Sequence, residues 1–310
     1  MNYDSIIISG PKYVGKTTLV EKIVKKNPTF EIVKTITTRE KREKESADAY
    51  DFISSEEFTT LKQENKLILD TEYNTNYYGI KEEAVSTVTG TPIFVVEPST
   101  VEILEKNLMQ KNYSPLTFFI DANDEEMTAR VKGRLDADID SSILMQREID
   151  REFKNKAIYY LKNNKLDDIV NLFMMLWKYR ENGGVLHKNL IQSAVKSDLL
   201  LQDADPNYVT AAAYDLHLGE EYYYAGKIRH ITKEDPFFRI DPYDYAIVTS
   251  KEAANLPRNI SARFNLTVSL FTQGIILSNG TQIDPGFRGK LFCLLFNTSN
   301  KPVVLKKEQK

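Results

Sequence analysis

The sequence is poor in the side chains that build disulfides, structural metal sites and membrane anchors. It has one cysteine, Cys293, so no internal disulfide can form, and this usage is typical of a reducing compartment. The histidines His187, His217 and His230 lack carboxylate or cysteine partners at ligand spacing, so we expect no structural zinc. No apolar run approaches the ~20 residues of a membrane span, and no basic, apolar leader opens the chain. We therefore expect a soluble, cytoplasmic protein.

An excess of charge of one sign is also lacking. The 41 basic and 44 acidic residues give a net charge of -3, and both signs are spread along the chain. The sequence therefore gives no global electrostatic argument for binding nucleic acid or an anionic membrane. We expect neither partner, and any phosphate ligand must be held by a local site.

The length of 310 residues favours two domains, because domains usually run about 100 to 200 residues. The stretch Glu181-Asn182-Gly183-Gly184 is a natural boundary, since consecutive glycines interrupt regular structure. We predict a first domain over residues 1–182 and a second domain over residues 185–310.

A strand, a glycine loop and a helix open the first domain. The Ile-rich run Ser5–Ser9 stops at Gly10, and apolar residues at helical spacing follow from Lys16 to Lys26. Apolar runs at 67–69, 93–96 and 116–120 then alternate with helix-like stretches at 99–111 and 124–132, and residues 141–180 are predicted to be helical. This alternation predicts an α/β fold with a mostly parallel sheet and flanking helices.

The second domain has a different pattern. Short β-like runs at Tyr245–Thr249, Thr267–Leu270 and Leu291–Asn297 are separated by proline, glycine, asparagine and aspartate. This pattern predicts a mainly β barrel or sandwich.

The loop between the first predicted strand and helix fits the phosphate-binding pattern G-x-x-x-x-G-K-[ST]. Its glycines let backbone N–H groups and the helix N-terminus face a β-phosphate, Lys16 bridges the β and γ oxygens, and Thr17 can ligate Mg²⁺. The predicted nucleotide-binding residues are Gly10, Pro11, Lys12, Tyr13, Val14, Gly15, Lys16, Thr17 and Thr18. The loop thus predicts ATP and Mg²⁺ as cofactors.

A second group of basic and aromatic residues follows this loop. The chain reads T-T-R-E-K-R-E-K-E at 37–45, Y-D-F-I-S at 50–54 and N-Y-Y-G at 76–79. Two arginines and two tyrosines in these segments are suited to hold a monophosphate, because guanidinium forks match phosphate oxygens and phenols donate to them. A solvated charge run is the alternative interpretation of residues 39–45.

Together these motifs resemble the guanylate kinase family over about Ile6 to Arg180. The resemblance implies an α/β P-loop kinase that binds an acceptor monophosphate beside ATP. By this resemblance the acceptor is bound by Arg39, Arg42, Tyr50 and Tyr78, with Glu45 helping to position it, and Thr35 and Glu97 are further candidate contacts.

Three later arginines look like the mobile lid and returning helix of that family. Arg130, Arg134 and Arg147 would neutralise the charge that spreads over the transferred phosphoryl group. With Lys16 they are the predicted catalytic residues, and no general base is required because positioning and charge stabilisation dominate this chemistry. Surface arginines on a solvated helix are the alternative.

The base-reading positions depart from the family pattern. Leu69 replaces the carboxylate that reads the guanine edge, and Asp70 or Glu72 is the candidate substitute. Ile80 replaces the small hydroxyl residue after Tyr78-Gly79. Val95 and Glu97 stand where the family has aspartates at the end of the next strand. Losing paired polar contacts in a base-reading site lowers specificity. The resemblance implies GMP or dGMP as the acceptor, and these departures leave another base open.

The second domain resembles the dCTP deaminase and dUTPase family from about Leu186 to Leu305. The resemblance rests on A-Y-D-L-H-L-G at 213–219, L-P-R-N-I at 256–260 and I-D-P-G-F-R-G at 283–289. It implies a mainly β, dUTPase-like fold that forms trimers with nucleotide sites between subunits.

The chemical residues of that family are replaced here. Its R-S-S-L-x-R-x-G segment reads T-V-S-L-F-T-Q-G at 267–274, and its catalytic glutamate falls on Leu294, which cannot shuttle protons. Asp284 remains, and the like carboxylate activates water in dUTPases, but without the arginines a triphosphate would be poorly held. A turn-forming role is therefore favoured for Asp284, and we expect a domain for trimerisation or nucleotide sensing.

The sequence predicts an enzyme that transfers phosphate from ATP to a nucleoside monophosphate and assembles as a homotrimer through its second domain. Two alternatives stay open. One is a non-catalytic nucleotide-sensing protein, and the other is a bifunctional enzyme that retains dCTP deaminase or dUTPase activity.

Overall fold

A computed structural model describes residues 3–41, 50–73, 75–135, 141–181, 183–277 and 282–310. The chain divides into two compact units, residues 1–183 and residues 184–310. Each unit has its own principal sheet.

Strands and helices alternate through the first unit. Its strands are β1 (Ser5–Ser9), β2 (Phe30–Ile32), β3 (Ile36–Thr37), β4 (Asp51–Phe52), β5 (Leu67–Tyr73), β6 (Asn76–Lys81), β7 (Thr91–Val95), β8 (Pro115–Asp121) and β9 (Tyr159–Lys162). Its helices are α1 (Lys16–Lys26), α2 (Ser55–Gln63), α3 (Glu82–Ser86), α4 (Val101–Gln110), α5 (Asp124–Leu135), α6 (Ser141–Glu152) and α7 (Leu166–Lys178).

The main sheet of the first unit is parallel, as predicted. Its strand order is β2-β7-β1-β8-β9, and every neighbouring pair runs in the same direction. The central strand β1 is buried along its whole length, which suits a parallel sheet covered by helices on both faces. The carboxyl ends of β1, β7, β8 and β9 therefore meet at one edge, where the glycine loop also lies.

A smaller sheet, in the order β4-β3-β6-β5, forms the other half of the first unit. Helix α2 beside it begins at Ser54, whose side chain accepts a hydrogen bond of 3.0 Å from the backbone N–H of Glu57. Opposite residues of this sheet share a face, and Tyr78 lies opposite both Thr37 and Thr71. This register determines which side chains meet at the candidate acceptor site.

The prediction of continuous helix over residues 141–180 was wrong in its middle. Helices α6 and α7 are separated by β9, which pairs with β8 so that Phe118 lies opposite Tyr159 and Ile120 opposite Leu161. The apolar side chains of this short run fit helical and strand spacing equally well, and its aromatic residues favour a strand at the sheet edge.

The second unit is mainly β. Its helices are α8 (Lys188–Lys196) and α9 (Val268–Thr272). Its strands are β10 (Leu200–Gln202), β11 (Leu218–Tyr224), β12 (Lys227–His230), β13 (Phe237–Ile240), β14 (Tyr245–Asn255), β15 (Ala262–Arg263), β16 (Ile275–Leu277), β17 (Gln282–Ile283), β18 (Arg288–Asn297) and β19 (Val303–Lys306). The predicted strand at Thr267–Leu270 was wrong, because Val268–Thr272 forms the short helix α9.

The principal sheet of the second unit is antiparallel, in the order β12-β11-β14-β18-β16, with β10 also pairing with β14. One face of this sheet is core. Tyr222, Val248 and Leu295 are buried on it and pack with Phe238 and Leu305 of the β13–β19 pair. This arrangement confirms the predicted mainly β fold of the second unit.

Within the described residues, none of the helices has the length and apolar character that crossing a membrane requires.

Candidate nucleotide site

The glycine loop between β1 and α1 is curled by backbone conformations that favour glycine. Gly10 has φ 142°, and a Cβ on this residue would lie 1.9 Å from the carbonyl oxygen of Ile120. Tyr13 and Gly15 also have positive φ values, of 66° and 89°. Any side chain at position 10 would therefore collide with β8, so glycine is required for the loop to approach the sheet this closely.

Lys16, the first residue of α1, lies against this loop. Its Nζ donates to the carbonyl oxygens of Gly10 at 2.5 Å and Pro11 at 2.9 Å. Burial lowers the pKa of Lys16, and the nearby carboxylates Glu97 and Asp150 partly oppose that shift. The ammonium group is thus held at the loop by carbonyl oxygens, the kind of acceptor that phosphate oxygens can replace.

The residues on either side of Lys16 leave polar groups accessible. Thr17 and Thr18 are exposed in the first turn of α1, and Lys12 is exposed in the loop. The hydroxyl of Thr17 suits a nucleotide-bound Mg²⁺, which prefers oxygen ligands. Among the described residues, no cluster of three or more His, Cys, Asp or Glu side chains is placed to hold a metal ion.

The carbonyl oxygen of Val14 accepts two side-chain hydrogen bonds from distant parts of the chain. Arg130 of α5 donates from Nη1 at 2.7 Å, and Asn163, just after β9, donates from Nδ2 at 2.8 Å. Arg130 Nη2 also donates to the backbone oxygen of Asn163 at 2.8 Å. The structure thus brings the predicted Arg130 to the loop, and it adds Asn163, for which the sequence pattern gave no signal.

Arg147 of α6 pairs with carboxylates, one of them buried, and its predicted catalytic role stays a prediction. It is 3% exposed and pairs with Asp121 at 3.1 Å, with Asp124, and with the carbonyl oxygen of Ala122. Asp121 is 1% exposed and also accepts from Arg151 at 2.9 Å. In this conformation the guanidinium of Arg147 neutralises a buried carboxylate and offers no exposed face to a phosphate.

Helix α6 places a carboxylate, Asp150, near the loop lysines. Asp150 is 5% exposed and accepts a hydrogen bond of 3.0 Å from Gln146. Burial raises the pKa of Asp150, and Glu97 raises it further, while Lys16 and Lys12 oppose the shift. Asp150 is a charged residue of this site that the motif search missed, because its spacing matches no short pattern.

The predicted acceptor residues gather in the smaller sheet. The guanidinium of Arg39 lies over the rings of Tyr50 and Phe52, at 5.4 and 5.6 Å from their centres. The rings of Tyr50 and Tyr78 are 6.2 Å apart. Arg39, Tyr50 and Tyr78 therefore form one cluster, which we call the aromatic clamp, and its guanidinium and phenols can hold a monophosphate together.

The structure shows fewer contacts for the other predicted site residues. Thr35 is half-buried, and its carbonyl oxygen accepts a hydrogen bond of 3.0 Å from the backbone N–H of Asp51. Arg42 and Glu45 lie outside the described residues, and so does the side chain of Arg134 on α5. Their predicted roles stay predictions.

Of the positions expected to read the base, Leu69 and Ile80 are apolar, and Asp70 and Glu72 are turned away from Tyr78. Leu69 and Ile80 lie opposite each other and are buried in the core at 3% and 1% exposure. Asp70 pairs with Lys62 at 2.5 Å, and Glu72 lies opposite Tyr77 rather than Tyr78. Thr71, which the sequence pattern did not single out, lies opposite Tyr78 and shares its face of the sheet, as the buried Thr37 does on the other side.

In the second unit, Asp284 has the turn geometry that the sequence favoured. Its backbone oxygen accepts from the N–H of Phe287 at 3.1 Å, and its carboxylate accepts from Gln282 at 3.2 Å. Leu294, at the expected position of a catalytic glutamate, lies opposite Ile247 in the sheet. No acid–base group is therefore found at that position.

The first unit combines a parallel sheet, a glycine loop over the carboxyl edge of that sheet, and a lysine with an exposed threonine at the start of the following helix. These features define it as a P-loop nucleotide-binding protein. The family described as guanylate kinase matches residues 2–179, and the chain belongs to that family. The family described as dCTP deaminase-like matches residues 185–310, and this part of the chain belongs to it.

Named relatives match each unit. A guanylate kinase of Parasynechococcus marenigrum is 31% identical over 133 residues, which is 41% of this chain and 71% of that protein. A dCTP deaminase of Pyrococcus horikoshii is 32% identical over 112 residues, which is 36% of this chain and 70% of that protein. A crystal structure of guanylate kinase from Anaplasma phagocytophilum is 18% identical, covers 58% of this chain and 87% of its own, and has a TM-score of 0.45.

Proposed function

We propose that the first unit transfers the terminal phosphoryl group of ATP to a (deoxy)nucleoside monophosphate. The observation that carries this proposal is the glycine loop, where Lys16 lies against the loop carbonyls and Arg130 donates to Val14. Membership of the guanylate kinase family supports the same reaction. We take residues 1–182 and 185–310 as the two functional domains.

Each loop residue has a role in this reaction. The N–H groups of the loop bind the β-phosphate, and Lys16 exchanges its contacts with Gly10 and Pro11 for the β and γ oxygens. Mg²⁺ that arrives with ATP would be held by Thr17 and would draw charge from the transferred group. Arg130 lies within reach of the loop to stabilise developing charge, and Arg134 is proposed to act with it.

The acceptor monophosphate is proposed to bind at the aromatic clamp, with Arg42 and Glu45 completing the site. GMP and dGMP are the first acceptors to test, because the chain belongs to the guanylate kinase family. Thr71 and Thr35 are the candidate polar contacts to the base, since Leu69 and Ile80 are core residues. A base site with few charged groups predicts weaker selection among bases than a site with a paired carboxylate.

We propose that three chains assemble through their second units. The contact surface is the face of the principal sheet that does not pack against the core. On this face Tyr223 lies opposite Ile247, Ile247 opposite Leu294, and Tyr245 opposite Phe296. Exposed apolar residues continue the surface, namely Ile228 (66%), Tyr223 (37%), Tyr245 (43%), Ile276 (41%) and Phe292 (63%). We call this surface the apolar sheet face.

An antiparallel sheet that meets water normally has one apolar face and one polar face, whereas here the second face also carries a group of exposed apolar side chains. Contiguous exposed apolar surface of this kind marks association sites. Association between copies is favoured over residual chemistry, because Leu294 provides no proton shuttle. Nucleotide sensing without turnover is the second candidate role for this unit.

ADP release is the test of the kinase proposal. The protein is incubated with ATP and Mg²⁺ against GMP, dGMP, AMP, dAMP, CMP, dCMP, UMP, dUMP and dTMP. We expect acceptor-dependent ADP release that is lost in Lys16→Met and kept in Lys25→Met. Lys25 is the matched control because it is an exposed lysine of the same helix.

Other outcomes separate the alternatives. Tight nucleotide binding with no ADP release for any acceptor would replace the kinase by a nucleotide-sensing protein. Release of ammonia from dCTP or pyrophosphate from dUTP, lost in Asp284→Asn, would show that the second unit retains its own chemistry.

A further inference from the structure

Asn163 contacts the glycine loop although it lies 149 residues from Val14 in sequence. Its side chain is 2% exposed, so the amide is held between the end of β9 and the loop. Its Nδ2 donates to the carbonyl oxygen of Val14 at 2.8 Å. The opposite assignment of the amide would place Oδ1 against that carbonyl oxygen, and two acceptors repel. The donor therefore faces the loop.

The backbone of Asn163 is fixed from two sides. Its N–H donates to the carbonyl oxygen of Asp121 at 2.7 Å, and its own carbonyl oxygen accepts from Arg130 at 2.8 Å. Asn163 therefore links the end of β8, helix α5 and the loop. A side chain anchored at both backbone groups loses little further freedom when it holds the loop, which makes it an effective support.

This contact sets the direction of a loop amide. In a trans peptide the C=O of one residue and the N–H of the next point in opposite directions, and no cis peptide occurs among the described residues. Because the Val14 carbonyl points toward Asn163 and Arg130, the N–H of Gly15 points away from them. Backbone N–H groups are the donors that bind phosphate in loops of this kind.

Two further observations indicate that Asn163 is fitted to the loop. A Cβ at Gly15 would lie 2.7 Å from Nδ2 of Asn163, so the amide occupies the space beside a residue that must lack a side chain. Its Oδ1 is buried and has no hydrogen-bond partner in the part of the chain that the structure describes. Burying an unpaired acceptor is unfavourable, so packing alone would be better served by an apolar residue of this size.

We propose that Asn163 is a positioning residue that orients the glycine loop for the phosphates of ATP by holding the carbonyl of Val14. This inference rests on the proposed kinase function for its role in catalysis, but its effect on nucleotide binding is separate from turnover. Arg130 donates to the same carbonyl and is also proposed to stabilise charge on the transferred group, whereas Asn163 is proposed to act only through the loop.

The test is calorimetric titration of ADP and of the acceptor monophosphate into Asn163→Leu, with KM measured for both substrates. Leucine has the same number and branching of side-chain heavy atoms as asparagine and lacks the N–H donor. One hydrogen bond contributes about 0.5–1.5 kcal/mol, so the Kd for ADP and the KM for ATP should rise by about two- to tenfold. The Kd and KM for the acceptor should stay within twofold of the wild-type values. A residue that only supported the fold would weaken both ligands together.

Asn164→Leu is the matched control, since Asn164 is the adjacent, half-buried asparagine and its Oδ1 accepts from the backbone N–H of Asn123 at 3.3 Å, outside the glycine loop. It should leave both dissociation constants unchanged. If Asn163→Leu does not fold, Asn163→Ser is used, because its hydroxyl fits the space but is too short to reach Val14.

An unchanged Kd for ADP in a folded variant, or an equal loss of both ligands, would overturn the inference. Wild-type protein that binds ADP and transfers no phosphoryl group would instead overturn the kinase proposal and leave the role of Asn163 in binding intact.

Discussion

Arg130 Nη1 lies 2.7 Å from the carbonyl oxygen of Val14, so a helix 116 residues later in the chain contacts the glycine loop directly. The same guanidinium pairs with Glu126 at 3.4 Å, one helical turn earlier. The position of α5 and the conformation of the loop are therefore coupled through one side chain.

Replacing Arg130 by methionine should lower kcat/KM for phosphoryl transfer by a factor of about 100 to 1,000, the usual loss when one charge-stabilising donor is removed. The loss should include kcat, because the developing charge is stabilised only during transfer. Steady-state kinetics against ATP measures it. Lys132→Met, an exposed cation of the same helix, is the control and should be near wild type. Equal kcat/KM values for Arg130→Met and Lys132→Met would show that Arg130 does not stabilise the transferred group.

The pKa of Asp150 predicts a pH-dependent stability. Burial raises this pKa, so in the pH range above the ordinary Asp pKa of ~4 the folded state binds more protons than the unfolded state. Stability from this group is therefore present at low pH and lost as pH rises through the folded pKa. Asp150→Asn should stabilise the nucleotide-free protein more at pH 8 than at pH 5. Urea unfolding monitored by Trp177, the single tryptophan, measures this in the first unit.

Asp167 provides the opposite case as a control. A hydrogen bond from Lys22 lowers the pKa of Asp167, so its contribution is present above the unfolded pKa and is lost as pH falls. Asp167→Asn should therefore be neutral or slightly destabilising at pH 8. The account of Asp150 fails if Asp150→Asn gains no stability between pH 5 and pH 8.

Asp121 should be the residue on which the position of α6 depends. It is buried and accepts from Arg147, Arg151 and Tyr160. Asp121→Asn removes the buried counter-charge of Arg147, so it should lower the free energy of unfolding by about 3–5 kcal/mol. The fluorescence of Trp177 during urea unfolding again reports the first unit.

Asp124→Asn is the comparison for this prediction. Asp124 also pairs with Arg147, but its side chain is 78% exposed and stays hydrated in the folded state, so Asp124→Asn should cost less than Asp121→Asn. Similar losses in the two variants would show that the buried position of Asp121 is not what matters.

The apolar sheet face should hold the assembly together. Phe292 is 63% exposed on it, and Phe292→Lys places a charge where burial between copies would require it to lose its water. Light scattering should give three times the chain mass of 35.6 kDa for the wild type and the mass of one chain for the variant. Val304→Lys is the control, since Val304 is 53% exposed on β19 in another sheet. A monomeric wild type, or an assembled Phe292→Lys, would contradict the proposal.

The parts of the site that could be predicted from the sequence are those that lie in one short segment. The loop from Gly10 to Thr17 combines a strand, glycines and a lysine at fixed spacing, so local pattern alone locates it. The aromatic clamp was also found, because Arg39, Tyr50 and Tyr78 belong to a recognisable set of motifs. How these three side chains lie relative to one another was shown only by the register of the small sheet.

The parts that could not be predicted depend on contacts between distant segments. Asn163 reaches Val14 because β9 pairs with β8 beside the loop, and the chain around β9 was predicted to be helical. Arg147 was selected by its resemblance to an arginine of the family's returning helix, and the structure shows its guanidinium paired with the buried Asp121. Spacing in sequence describes which residues share an element, but not which charges meet across elements.

The most direct test of the central claim follows the transferred group itself. ATP labelled with ¹⁸O in its γ-phosphoryl group is incubated with Mg²⁺, the protein and an acceptor that gave ADP release, and the products are analysed by mass spectrometry. We predict labelled nucleoside diphosphate from the wild type and none from Lys16→Met. Label found only in inorganic phosphate, or retained in ATP with every acceptor, would contradict phosphoryl transfer by the first unit.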